Sequence, residues 1–127
     1  MATDYKHYKT VKAKISGVGV SNQVSTALLS DTNRNKRSSR GRRFSGAVIY
    51  NDATSTQALT PLIEVTNGTT SFQLDRTVIQ IGDSAAWSDE EYGIDLDRDQ
   101  FIKVTVAESL STNDDLYVFL RFKDTYS

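Results

Sequence analysis

Leu62-Ile63-Glu64-Val65-Thr66-Asn67-Gly68-Thr69-Thr70-Ser71-Phe72-Gln73-Leu74 reads as two alternating runs joined by Asn-Gly. Asn and Gly tolerate the positive φ angles of a type I′ turn, whose twist matches that of the strands it joins. A two-residue loop pairs Thr66 with Thr69, Val65 with Thr70 and Ile63 with Phe72. In that register Ile63, Val65, Phe72 and Leu74 share one face, and Glu64, Thr66, Thr69, Ser71 and Gln73 share the other. Turn chemistry and hydrophobic pattern therefore point to the same antiparallel hairpin.

Outward from the hairpin the same period of two recurs. Residues 77–81, 101–106 and 116–123 read as strands, the last with Leu116, Val118, Leu120 and Phe122 on one face and Tyr117, Phe119 and Arg121 on the other. Upstream, Val11, Ala13 and Ile15 alternate with Lys12, Lys14 and Ser16, and Gly17 and Gly19 mark a bulge or bend before a short strand over 24–29. Residues 44–50 form another strand, with Phe44, Val48 and Tyr50 on one face and Ala47 and Ile49 on the other. Apolar residues on both faces suit an inner strand or a contact surface. Ala85-Ala86-Trp87-Ser88-Asp89-Glu90-Glu91 is the one stretch that reads as a helical turn. The pattern predicts an all-β chain: a single antiparallel β-sandwich (jelly-roll-like) or small barrel of about seven or eight short strands. Residues 1–127 then form one domain, with a basic loop or arm over 31–43.

Composition removes several function classes. The chain has no Cys, so it has no disulfide framework, no thiolate zinc site and no cysteine nucleophile. Its only histidine, His7, lies close to the N-terminus, and no nucleophile-elbow pattern accompanies it. Gly17-Val18-Gly19 lacks the third glycine of a dinucleotide fingerprint. The inventory implies no enzyme and no cofactor. The first twenty residues lack the apolar core of a secretory signal, and no run reaches the length of a membrane span, so the expected site of synthesis is the cytoplasm, with no membrane partner.

The net charge of −1 conceals a split. Residues 1–50 hold ten Lys or Arg against Asp4 and Asp31, giving +8; residues 51–127 hold five basic against fourteen acidic residues, giving −9. The halves neutralise each other within one fold, or they sit on different surfaces and favour head-to-tail contact between copies. The basic loop gathers Arg34, Lys36, Arg37, Arg40, Arg42 and Arg43. Charge of this density keeps a segment exposed, where it docks on an acidic protein surface, binds nucleic-acid phosphates, or stays solvated. It lacks interleaved aromatic stacking platforms, so nucleic acid is not the favoured partner. Asp89, Glu90 and Glu91 are the natural counterparts on a neighbouring subunit. Asp95, Asp97 and Asp99 have the opening spacing of a calcium loop, but Gln100 and Val106 stand where the turn Gly and the bidentate Glu belong, and no metal is assigned. Trp87 and Tyr92 are the candidates for stacking on a sugar ring, against the alternative of a core lid.

Ser25-Thr26-Ala27-Leu28-Leu29, followed after a polar gap by Arg42-Arg43-Phe44-Ser45-Gly46-Ala47-Val48-Ile49-Tyr50-Asn51-Asp52, resembles small β-sandwich proteins encoded among the virion genes of tailed bacteriophages. The resemblance covers about a quarter of the chain, which departs from it in the longer basic loop and in Phe44-Ser45 before Gly46. It implies a class: a capsid decoration or head or tail component, localised to the virion, contacting other capsid subunits and forming homo-oligomers. A carbohydrate- or receptor-binding module is the alternative reading, and nucleic-acid binding through the basic loop is the third.

Overall fold

The structure is a computed structural model that describes residues 7–17, 26–29, 41–88, 93–96 and 100–125. Nine strands are present among the described residues: β1 (His7–Ser16), β2 (Thr26–Leu29), β3 (Gly41–Asn51), β4 (Pro61–Thr66), β5 (Ser71–Arg76), β6 (Ser84–Ser88), β7 (Ile94–Leu96), β8 (Phe101–Val106) and β9 (Asp115–Thr125). Their pairing is nested. β4 pairs β5, β3 pairs β6 and β7, β2 pairs β8, and β1 pairs β9, all antiparallel. The chain is thus a long ribbon doubled back at the Asn67–Thr70 turn and rolled into two sheets, β1-β9-β3-β6 with β7 also on β3, and β2-β8-β4-β5. This is the strand order of a jelly-roll sandwich.

Period-two alternation builds the core between the sheets. Ile102, Val104 and Val106 of β8 and Leu116, Val118, Leu120 and Phe122 of β9 are all buried, while the residues between them are not. Phe44, Ala47 and Ile49 of β3 and Ile63 and Val65 of β4 complete the two inner faces.

Five local expectations are corrected. In the hairpin, Asn67 Oδ1 accepts from the backbone N–H groups of Thr69 and Thr70, both at 2.8 Å, and Asn67 N–H donates to Thr70 O at 3.2 Å. These bonds favour a four-residue loop, so Thr66 pairs Ser71 and Val65 pairs Phe72. The shift of two preserves the faces. Phe72 nevertheless overhangs the core and is 59% exposed, and a bulge between Ile63 and Glu64 leaves Leu74 half-buried. In β3, a bulge between Phe44 and Gly46 reverses the alternation, which puts Phe44 on the same inner face as Ala47 and Ile49 and turns Val48 outward. Residues 77–81 contribute only a bridge, Leu59 to Ile79, rather than a strand. Residues 84–88 form β6 and not a helical turn, because β3 offers them an unpaired edge and five residues gain little from isolated helix formation. The basic stretch also ends earlier than 43, since Gly41, Arg42 and Arg43 already belong to β3. Two strands, β6 and β7, share one edge of β3.

Gly68 has φ of 95° with open space around it, so Gly68→Ala meets no clash and costs only the strained conformation, about 1 kcal/mol in urea unfolding.

At the opposite end of the sandwich, acids and amides fasten the connections. Glu108 accepts from Thr60 N–H and Thr60 Oγ1, both at 2.7 Å. The Asn51 amide donates to the carbonyls of Gln57 (3.1 Å) and Ile79 (3.0 Å) from a fully buried position. Asp114, also fully buried, accepts from Thr56, Gln57 and Ser111. Asp52 is held below the usual carboxylate range chiefly by the Thr54 hydroxyl.

Candidate interaction surface

Paired residues in a sheet share a face, so the registers of the larger sheet define its outer rows. Ala86, Val48, Phe119 and Lys12 form one row, Ser84, Tyr50, Tyr117 and Lys14 the next, and Ser88, Gly46, Arg121 and Thr10 a third. The face therefore has an aromatic and aliphatic centre with cationic residues toward β1. Val48 is 45% exposed; Tyr50, Tyr117 and Phe119 are half-buried. The Tyr50 and Tyr117 rings stack with centroids 6.3 Å apart, and Lys14 Nζ lies 5.6 Å from the Tyr117 centroid and 3.7 Å from Asp115. Such packing holds the rings in place before any partner arrives, which lowers the ordering cost of binding.

Gly46 opens this face. With no side chain at that position, a hollow of about 420 Å³ forms, bordered by Thr10, Val48, Ser88, Phe119 and Arg121. It combines two apolar walls with hydroxyl and guanidinium groups, and suits the insertion of a side chain from another molecule.

Several sequence-predicted residues lie elsewhere. Arg34, Lys36, Arg37, Arg40, Asp89, Glu90, Glu91 and Tyr92 are outside the described residues, as are Asp97, Asp99 and the side chain of Arg42. Arg43 is half-buried and donates from Nε to Asp95 Oδ1 at 2.8 Å, a bond that raises the guanidinium pKa further. Asp95 is thereby engaged within its own chain. Trp87 is half-buried, its ring stacked on Phe44 at 5.2 Å with planes 5° apart. Among the described residues no group of three or more His, Asp or Glu side chains is placed to hold a metal ion.

The topology pairs the start of β3 with β7. β3 starts where the basic segment 31–40 ends, and β7, which follows 89–91, pairs with Arg42, Arg43 and Phe44 of that same start. Within those described residues Arg43–Asp95 is a direct link between the basic and acidic halves. The surface that sequence reading reached only in part is the outer sheet face. Its signal was present in β9, where Tyr117 and Phe119 alternate with the core residues.

Neither a protein-family model nor a curated protein sequence matches the chain. Among solved structures, it is similar to a Bacillus protein from endospore appendages described as a novel family of disulfide-linked pili, with a TM-score of 0.54 and 17% identity over 100% of this chain and 96% of that one. It is also similar to the Drosophila NLP core, described for pentamer formation and histone binding, at TM-score 0.47 and 11% identity, covering 91% of this chain and 95% of that one. A third similarity is to the virus-like particle of Macrobrachium rosenbergii extra small virus, at TM-score 0.44 and 8% identity, covering 100% and 84%. The two lower scores carry no structural argument, and no phage family is among these findings. The chain has an antiparallel all-β sandwich fold like that of a pilus-forming Bacillus protein.

Proposed function

We propose that this chain is a non-enzymatic structural subunit that binds other protein subunits in an assembly, as a capsid decoration protein or a head or tail component of a virion. The observation that carries the reading is the outer face of the larger sheet: Val48, Tyr50, Tyr117 and Phe119 form a preorganised apolar patch around a hollow, flanked by Lys12, Lys14 and Arg121. An apolar centre with a charged border is the anatomy of a protein–protein interface, and the border charges steer encounter more than they add affinity. The likeness in fold to a protein of disulfide-linked pili supports the reading, since pili are assemblies of protein subunits. This chain has no Cys, so its contacts, unlike those of the disulfide-linked pili, are not disulfides.

The test is mass, measured in solution and on purified particles. Phe119→Asp places a charge at the centre of the patch and is expected to release the protein from its assembly while leaving the circular dichroism of the fold unchanged. A wild-type chain that stays monomeric at all concentrations and is absent from every particle or assembly fraction overturns the reading.

A further inference from the structure

The larger sheet has two lateral edges, and they differ in charge. β1 has no strand partner among the described residues on the side away from β9, and β6 and β7 have none on the side away from β3. β1 contains Lys9, Lys12 and Lys14 and no acid; Lys12 and Lys14 are exposed. Between residues 77 and 97 the sequence has no Lys or Arg, and Asp83, next to the first residue of β6, is exposed. β6 itself is Ser-Ala-Ala-Trp-Ser, with no charge, no proline and no bulge, and so lacks the usual devices that keep an edge strand from pairing.

Strand direction makes the two edges compatible. Along β1-β9-β3-β6 each neighbour is antiparallel, so β1 and β6 run in opposite directions. A second copy set beside the first in the same orientation therefore brings its β6 antiparallel to β1, continuing the alternation without a break. The registers also define the side chains that meet. Lys14 lies in the row of Ser84, Lys12 in the row of Ala86, and Thr10 in the row of Ser88. A copy translated along these rows sets Ser84 opposite Lys14, Ala86 opposite Lys12 and Ser88 opposite Thr10, which leaves room for the lysine stems, with Asp83 adjacent to Lys14.

We propose that copies of this chain associate edge to edge, the β6 edge of one pairing with the β1 edge of the next to extend the five-stranded sheet. The proposal rests on the reading of the chain as an assembling subunit and names a second copy as the partner. The contact is heterologous, so it grows into an open filament or closes into a ring. The outer faces of successive copies would line up, and the patch around Phe119 would become a continuous stripe along the assembly.

The experiment is sedimentation velocity on the full chain over a range of concentration and salt, comparing wild type with Ala86→Lys, Lys12→Glu/Lys14→Glu and Phe119→Asp. Ala86 is exposed, so its replacement tests the edge and not the core. Self-association that weakens with salt and loses at least about tenfold in affinity in both Ala86→Lys and Lys12→Glu/Lys14→Glu supports the edge contact. Combining Ala86→Glu with wild-type lysines is expected to strengthen it. Self-association that ignores all edge variants but is lost in Phe119→Asp overturns the edge contact and leaves the subunit reading in place. A monomer at every concentration also overturns the edge contact. Its absence from particle fractions as well would then remove both.

Discussion

Asp114→Ala is expected to lower the unfolding free energy by about 3 kcal/mol, since a buried carboxylate with several donors leaves each of them unpaired when it is removed. Asp114 has no exposed surface. Its Oδ1 accepts from Thr56 N–H and Thr56 Oγ1, both at 2.8 Å, and its Oδ2 accepts from Gln57 Nε2 at 2.8 Å and Ser111 N–H at 3.0 Å. The donors come from two connections more than fifty residues apart, so one side chain joins the 52–60 segment to the turn before β9. Burial alone raises a carboxylate pKa, but here the hydrogen bonds from Ser111, Thr56 and Gln57 outweigh it and hold Asp114 well below the usual range. The sign of the pH effect follows. A depressed folded-state pKa contributes stability that is complete above the unfolded value, about 4, and is lost as pH falls from there toward the folded value. Urea unfolding at neutral pH and in the acid range should therefore show a steep acid limb in the wild type. Asp114→Asn should be less stable at neutral pH, because its amide meets donors, and should have a shallower acid limb. Equal acid limbs would show that other carboxylates control the acid response.

The strands that alternate cleanly were legible in the sequence. β8 has the expected bounds, β9 extends from 115 to 125 around the expected 116–123, and both bury the expected face of Ile102, Val104, Leu116, Val118 and Leu120, because strict alternation leaves one way to bury them. The Asn-Gly turn was legible as a turn but not in its length. The Asn67 side chain competes for the backbone donors of Thr69 and Thr70, and an asparagine that bonds its own loop can widen it. β6 was not legible, since Ala85-Ala86-Trp87 has local helix preference and becomes a strand only through the exposed edge of β3. The β3 bulge depends on how Ser45 and Gly46 meet Arg121 in another strand, where Ser45 Oγ donates to Arg121 O at 3.2 Å.

The same division applies to the candidate surface. Charge clusters and the aromatic residues of β9 can be read locally, but what shares a row with them cannot. Val48 stands beside Phe119 and Tyr50 beside Tyr117 because β3 and β9 pair across about seventy residues of chain. Asp114 reads in Ser-Thr-Asn-Asp-Asp as an ordinary solvated loop residue, and only the fold of the 52–60 segment over it makes it buried. Arg43 belongs to a charge run whose natural reading is an exposed arm, yet its partner Asp95 is 52 positions away on a paired strand.

Gly17→Ala is expected to cost roughly 3–4 kcal/mol, at the upper end of what overpacking does. A Cβ on Gly17 would lie 2.1 Å from Ser111 O and 2.9 Å from Ser111 C, with Leu110 Cβ at 2.8 Å. Two of those atoms are backbone, so a rotamer change cannot relieve the clash. Leu110 is part of the core at 1% exposure, and Gly17 N–H donates to Asp114 O at 3.2 Å, so the approach is fixed from both sides. Gly68→Ala, the contrasting case, meets nothing and costs only its conformation. The pair separates steric from conformational need for glycine in one protein, read in the same urea titration. The clash is severe only while the 110–114 turn is held in place, and Asp114 is what holds it. Gly17→Ala and Asp114→Asn should therefore cost less together than the sum of the two alone, because the freed turn can move away from the new methyl group. Strict additivity would mean that the turn is held by its own backbone, and that the Asp114 bonds fasten the 52–60 segment to it without fixing its position.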